Sequence, residues 1–121
     1  MKINTISIND VNYPERLKSL HIQPETIYIR GSIPNYLIGV AIVGTRKPTS
    51  YGKQVTSDLA GGLASKGAIV ISGLAHGIDG IAHDAALKAK GGTIAVLACG
   101  VDTIYPSAHH QLADRILNDN G

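Results

Sequence analysis

Three short apolar runs, GVAIVG at 39–44, AIVIS at 68–72 and TIAVLA at 93–98, set the strongest limit on how this chain folds. Each is continuously apolar and rich in β-branched residues, the composition of a strand covered on both faces. Between the first two lies a helical pattern from Gly52 to Lys66, where Val55, Leu59 and Leu63 recur every four residues and Gly67 stands at the place of a left-handed cap. A second helical pattern, from about 78 to 90, puts Ile78, Ile81, Ala82 and Ala85 on one face and ends at Gly91-Gly92. Leu112 and Ile116, with Ala108, mark a third helix behind Pro106-Ser107. The order β-α-β-α-β-α, joined by right-handed crossovers, predicts an α/β fold with a three-layer, doubly wound, mainly parallel sheet.

Ahead of this unit, YPERLKSLHIQPETIYIRGSI reads as a short helix, a proline turn and a strand, TIYIR, added at a sheet edge. The chain thus divides into an N-terminal helix, turn and edge-strand segment at 1–36 and an α/β part at 37–121. It stops at NDNG, a helix-terminating signal, where a fourth strand is expected. Three parallel strands make a thin sheet, so the chain reads as the first part of a longer domain. An uncovered sheet of this kind is expected to favour self-association or marginal stability.

At 121 residues and 44% hydrophobic, the chain can bury one modest core. Its formal charge of +2 is too small to argue by itself for a polyanion partner, so local clusters must carry that case. One cysteine excludes an internal disulfide framework, and no stretch suits a signal peptide or membrane span, which together predict a cytoplasmic protein. With neither Phe nor Trp, base stacking is limited to tyrosine, histidine and arginine planes.

Ligands of open α/β sheets collect at the carboxyl ends of the strands, where this chain has VGTRKPTSYG, SGLAHGIDG and CGVDTIYPSAHH. The first segment lacks the dinucleotide fingerprint GxGxxG but sets Arg46 and Lys47 beside Gly44-Thr45, with Thr49 or Ser50 as the cap of the following helix. Fixed cations, hydroxyls and a helix N-terminus suit phosphate; a solvated turn is the other reading. In the second, Gly73, Gly77 and Gly80 permit a tight turn and close ligand approach, while Asp79 faces the favourable end of the helix dipole as a cap or loop pin. His76, Asp79 and His83 have spacings conceivable for a metal but no convergent further ligand, so neither metal nor cofactor is expected. His109-His110 read as exposed helix residues and Cys99 as a buried structural thiol. No spacing specifies a catalytic triad or carboxylate pair; the pattern favours binding over reaction.

Taken in order, YPERL, IYIRG, VAIVGTRKPTSYG, VISGLAHGIDGIAHDAAL and TIAVLACGVDTIYP resemble the DNA-processing protein A family, also called DprA or Smf, over about residues 10 to 121. The resemblance implies a Rossmann-like domain in a bacterial cytosolic protein. Such proteins bind single-stranded DNA, protect incoming strands in natural transformation, help load the RecA recombinase and form homodimers, with no known enzymatic role. It also implies that Arg46 meets the DNA backbone. Leu74 stands where the family commonly has glycine, which predicts a narrower backbone opening. The phosphate-contacting set expected from residues and resemblance together is Gly44, Thr45, Arg46, Lys47, Ser50, Ser72, Gly73, His76 and Gly77. The alternative is an enzyme similar to the nucleotide-monophosphate phosphoribohydrolases, whose PGGxGTxxE segment this chain lacks.

Overall fold

A computed structural model describes residues 2–119 and 121. Strands β3 (Gly39–Ala41), β4 (Ile69–Ser72) and β5 (Thr93–Ala95) form a parallel sheet in that spatial order, with Val40 beside Val70 and Ile71 beside Ile94. Helices α1 (Ser50–Ser65) and α2 (Ile78–Lys88) supply the two crossovers, and α3 (His110–Asn118) follows β5 behind a 3₁₀ turn at Ser107–His109. The result is the Rossmann-like α/β fold the apolar runs predict. Because the strand order advances in one direction, α1 and α2 lie side by side on one face. The reversal of direction that defines a doubly wound sheet is not contained in these three strands.

The core between the helices and the sheet is made of small residues. Ala60 and Ala64 of α1 meet Ala82, Ala85 and Ala86 of α2 over Val70, with Ile42 packed alongside. This corrects the helical face read from Val55, Leu59 and Leu63: the buried positions of α1 are Thr56, Ala60 and Ala64, and Leu59 is 56% exposed. A second cluster seats α3, where Leu74 and Leu87 pack against Ala113 and Ile116. On the way out of β3 and β5, Val43 and Val96 stay 71% and 64% exposed.

The N-terminal segment departs from expectation. TIYIR does not join the parallel sheet; as β2 (Thr26–Arg30) it pairs antiparallel with β1 (Ile3–Ser7) in a sheet of its own. The expected short helix is a 3₁₀ turn, Glu15–Ser19. Arg16 ties this unit to the chain entering β3: its guanidinium stacks 4.4 Å from the Tyr36 ring centroid and donates to the carbonyls of Tyr36 at 3.1 Å and Leu37 at 2.6 Å. No helix among the described residues is long and apolar enough to cross a membrane.

Thr49 rather than Ser50 caps α1, its hydroxyl oxygen accepting the Gly52 N–H at 3.0 Å. Thr49→Ala is expected to lower stability by about 1 kcal/mol, with Thr49→Ser restoring most of it. Equal urea midpoints for wild type and Thr49→Ala would show that the cap contributes nothing.

Candidate nucleic-acid interface

The loops leaving β3 and β4 meet backbone to backbone at one edge of the sheet. Ile78 donates its N–H to the Thr45 carbonyl at 3.1 Å, and the Thr45 hydroxyl oxygen accepts the Lys47 N–H at 3.1 Å. Gly77 makes this approach possible: its φ is +80°, and a Cβ there would overlap the Thr45 carbonyl oxygen and stand 2.7 Å from the Arg46 carbonyl. Gly44 lets the first loop close over Ile78, which a Cβ would meet at 2.8 Å. Arg46 and Gly73 thus follow adjacent strands at the same edge of the sheet.

The third loop adds the other wall. His109, at the end of the 3₁₀ turn, donates from Nδ1 to the Leu74 carbonyl at 2.7 Å, and its ring lies 5.3 Å from that of His76. A groove of about 670 Å³ results, lined by Arg46, Lys47, Lys53, His76, His109 and Arg115, with Asp84 as its acidic residue. Asp84 binds Arg115 at 2.6 Å and Lys88 at 2.9 Å. Partial burial works to raise its pKa, but those two cations outweigh burial and hold the carboxyl below its ordinary value. Arg46, Lys47 and Lys53 have no ion pair among the described residues. All three flank the N-terminus of α1, whose first turn holds no acid.

The expected residues divide. Arg46, Lys47, His76 and Gly77 line the groove. Thr45 shapes the first loop, Gly44 packs on Ile78, and Ser50 is exposed in the first turn of α1 outside the groove lining. Ser72 and Gly73 are used internally: the buried Ser72 hydroxyl donates to the Ile42 carbonyl at 2.5 Å, and Asp79 accepts the Gly73 N–H at 3.1 Å. Asp79 is therefore the loop pin, while Gly77 occupies the cap position. The N–H groups of Ile78 and Gly80 go to the carbonyls of Thr45 and Ala75. Side chains, more than backbone amides, present the donors of this groove.

Lys53, His109 and Arg115 were not anticipated as lining residues. Only the location of His109 in a strand-end segment pointed toward the groove. Cys99 is exposed, contrary to expectation, with its thiol 3.5 Å from the Thr103 carbonyl. Leu74 keeps a left-handed backbone at φ +63°, yet its side chain is buried between α2 and α3 instead of narrowing the opening. His76 and His83 are not brought together: His76 is exposed and His83 is fully buried. Among the described residues no group of three or more His, Cys, Asp or Glu side chains is placed to hold a metal ion.

His83 belongs to the core. The Thr93 hydroxyl donates to the Val70 carbonyl at 2.7 Å, so it accepts from His83 Nδ1, 2.6 Å away, which fixes the proton on that nitrogen. Nε2 is buried without a partner among the described residues. Burial lowers the His83 pKa to about 4, against a partial upward pull from Asp79 and with a further push from His109.

The sequence profile of the DNA recombination-mediator protein A family matches residues 4–121. DNA processing protein DprA of Bacillus subtilis is 47% identical over 116 residues, which cover 94% of this chain and 39% of that protein. Protein Smf of Escherichia coli is 37% identical, covering 90% of this chain and 29% of its own length. The X-ray structure of DprA from Streptococcus pneumoniae superposes with a TM-score of 0.82 at 34% identity over 95% of this chain and 41% of that one. The structure of DNA processing protein A from Helicobacter pylori, described for its single-stranded DNA binding mode, gives a TM-score of 0.82 at 35% identity over 96% of this chain and 52% of that one. The chain therefore spans about two fifths of the length of the B. subtilis relative. On the profile match and these identities, the chain belongs to the DNA recombination-mediator protein A family.

Proposed function

We propose that this chain forms part of a single-stranded DNA-binding protein acting in recombination, and that it grips the strand by its phosphates in the groove at the carboxyl edge of the sheet. One observation carries the reading. Arg46, Lys47 and Lys53 stand at the positive end of α1 with no ion pair among the described residues, and there the helix dipole favours anions and disfavours cations. A bound phosphate relieves that repulsion and takes a charge-assisted bond from each side chain it reaches. The single-stranded DNA named for the H. pylori relative supplies an anion of this kind.

Cations from the first loop, α1 and α3 line the groove, and contacts to phosphate position a strand without reading its sequence. Binding rather than catalysis is the role assigned. Protection of incoming strands, hand-over to the RecA recombinase, homodimer formation and a cytoplasmic setting belong to the same proposal and concern the full length of the relatives.

Arg46→Ala is expected to weaken binding of unrelated single-stranded oligonucleotides alike, and to reduce the slope of log affinity against log salt by about 0.7. Arg46→Lys should recover only part of the loss, since an ammonium lacks the planar fork. Titrations over a range of salt decide the matter: unchanged affinity, or a loss confined to one base composition, would remove Arg46 from the backbone contact.

A further inference from the structure

We propose that His109 is a further phosphate-contacting residue of the groove and that its contact binds a proton together with the strand. The inference rests on the nucleic-acid reading above. It begins from a fixed tautomer. The Leu74 carbonyl can only accept, so the 2.7 Å bond makes His109 Nδ1 the donor. Leu74 presents this carbonyl from a left-handed backbone, φ +63°, a conformation unusual for a bulky residue and one that accumulates at functional sites.

With Nδ1 committed, the only nitrogen His109 can offer a ligand is Nε2. It lies at the groove edge over Gly80, 3.0 Å from where a Cβ would stand, so the missing side chain at Gly80 is what lets the ring seat there. In the neutral ring Nε2 carries a lone pair, which repels a phosphate oxygen; in the protonated ring it carries an N–H, which donates to one. Phosphate contact at His109 therefore requires a proton. His76 differs: it is exposed, has no hydrogen bond that locks its tautomer among the described residues, and can turn an N–H outward while neutral.

The surrounding charges set the sign. Arg46, Lys47 and Lys53, from the first loop and α1, share the groove lining with His109. On α2, His83 lies behind the ring, held neutral in the core, with Asp79 one turn before it. Asp84 is already bound by Lys88 and by Arg115 of the element His109 leads into, where His110 is exposed. The acid lining the groove is thus already engaged by two cations, and a phosphate supplies the negative charge that an Nε2–H of His109 would meet. Proton and phosphate then bind cooperatively, since each supplies the charge the other lacks.

The experiment measures affinity for a fluorescent oligothymidylate from pH 8 to pH 5.5, in the protein as expressed from its gene, for wild type, His109→Gln, His76→Gln and Arg46→Ala. Wild-type affinity should rise as pH falls, approaching tenfold per pH unit where one proton is taken up. Whatever their affinities at pH 8, His109→Gln should lose most of the rise and His76→Gln should keep it. NMR of the His109 ring in wild type gives a second readout, in which inorganic phosphate should move its titration to higher pH. Binding that depends on Arg46 but not on pH, or a rise that survives His109→Gln, overturns the proton-coupled contact and leaves the strand-binding reading standing. Indifference to Arg46→Ala with phosphate still moving the His109 titration would do the reverse. A phosphate-insensitive ring overturns the contact even where His109→Gln fails to fold.

Discussion

Replacing Gly77 by alanine is expected to destabilise the protein by about 3–5 kcal/mol, through two costs that act together. One is conformational: φ of +80° with ψ of −127° lies where residues with a side chain pay a steric penalty. The other is spatial. The added Cβ would overlap the Thr45 carbonyl oxygen and press on the Arg46 carbonyl group, both of them backbone that cannot rotate aside. The two loops would have to separate, breaking the bond from Ile78 N–H to the Thr45 carbonyl and displacing Arg46 from the groove. Gly67→Ala is the internal control, since Gly67 has φ of +94° but nothing within 4 Å of a new Cβ. That change carries the conformational cost alone, about 1 kcal/mol. Urea denaturation of both variants separates the effects: equal losses at the two positions would show that the loops do not touch as described.

The elements of the sheet were legible because each apolar run is short, continuous and followed by a polar glycine turn, a pattern that local chemistry alone produces. The facing of α1 was not. Val55, Leu59 and Leu63 form the more hydrophobic stripe, yet the helix turns Thr56, Ala60 and Ala64 inward. The reason lies in α2, whose Ala82, Ala85 and Ala86 leave room only for a partner of small residues, with Gly61 facing the Ala85 carbonyl. A stripe rule weighs side-chain size as burial gained; here the distance between two helices decided. β1 escaped notice because INTIS is mostly polar and buries only Ile6, so its strand character comes from pairing with TIYIR.

The same division runs through the groove. Arg46 and Lys47 could be placed from their own segment, since a cationic turn before a capped helix is a local feature. Arg115 reaches the groove because Ala113 and Ile116 dock α3 on Leu87 and because Asp84 holds its guanidinium, both contacts between residues far apart in sequence. The internal use of Ser72 and Gly73 depends likewise on where Ile42 and Asp79 come to rest. Glycine and serine at a strand end announce a turn; which neighbour takes their hydrogen bonds is settled by packing.

Acid should begin to destabilise this protein at a pH above the range in which most carboxylates are protonated, and His83 is the group responsible. In the native state its pKa is lowered to about 4, chiefly by burial, against 6.5 for a free imidazole. Between those values the unfolded chain takes up a proton that the native state excludes, so stability falls with pH by about 1.4 kcal/mol per unit. Above pH 6.5 the residue is neutral in both states and contributes no slope; below pH 4 the loss, about 3 kcal/mol, is complete. Asp84 acts in a separate window. Its pKa is lowered too, so the stability it contributes is present above 3.8 and is lost as pH falls beneath that value. Urea titrations at half-unit steps from pH 7.5 to pH 4.5 test the assignment, with His83→Gln as the comparison because an amide can still donate to the Thr93 hydroxyl but cannot titrate. His83→Gln should be less stable than wild type at pH 7.5 and show a much flatter dependence below pH 6.5. A wild-type profile that is level from pH 6.5 to pH 4.5, or a variant that retains the full slope, would mean that the buried imidazole is not the source of the acid sensitivity.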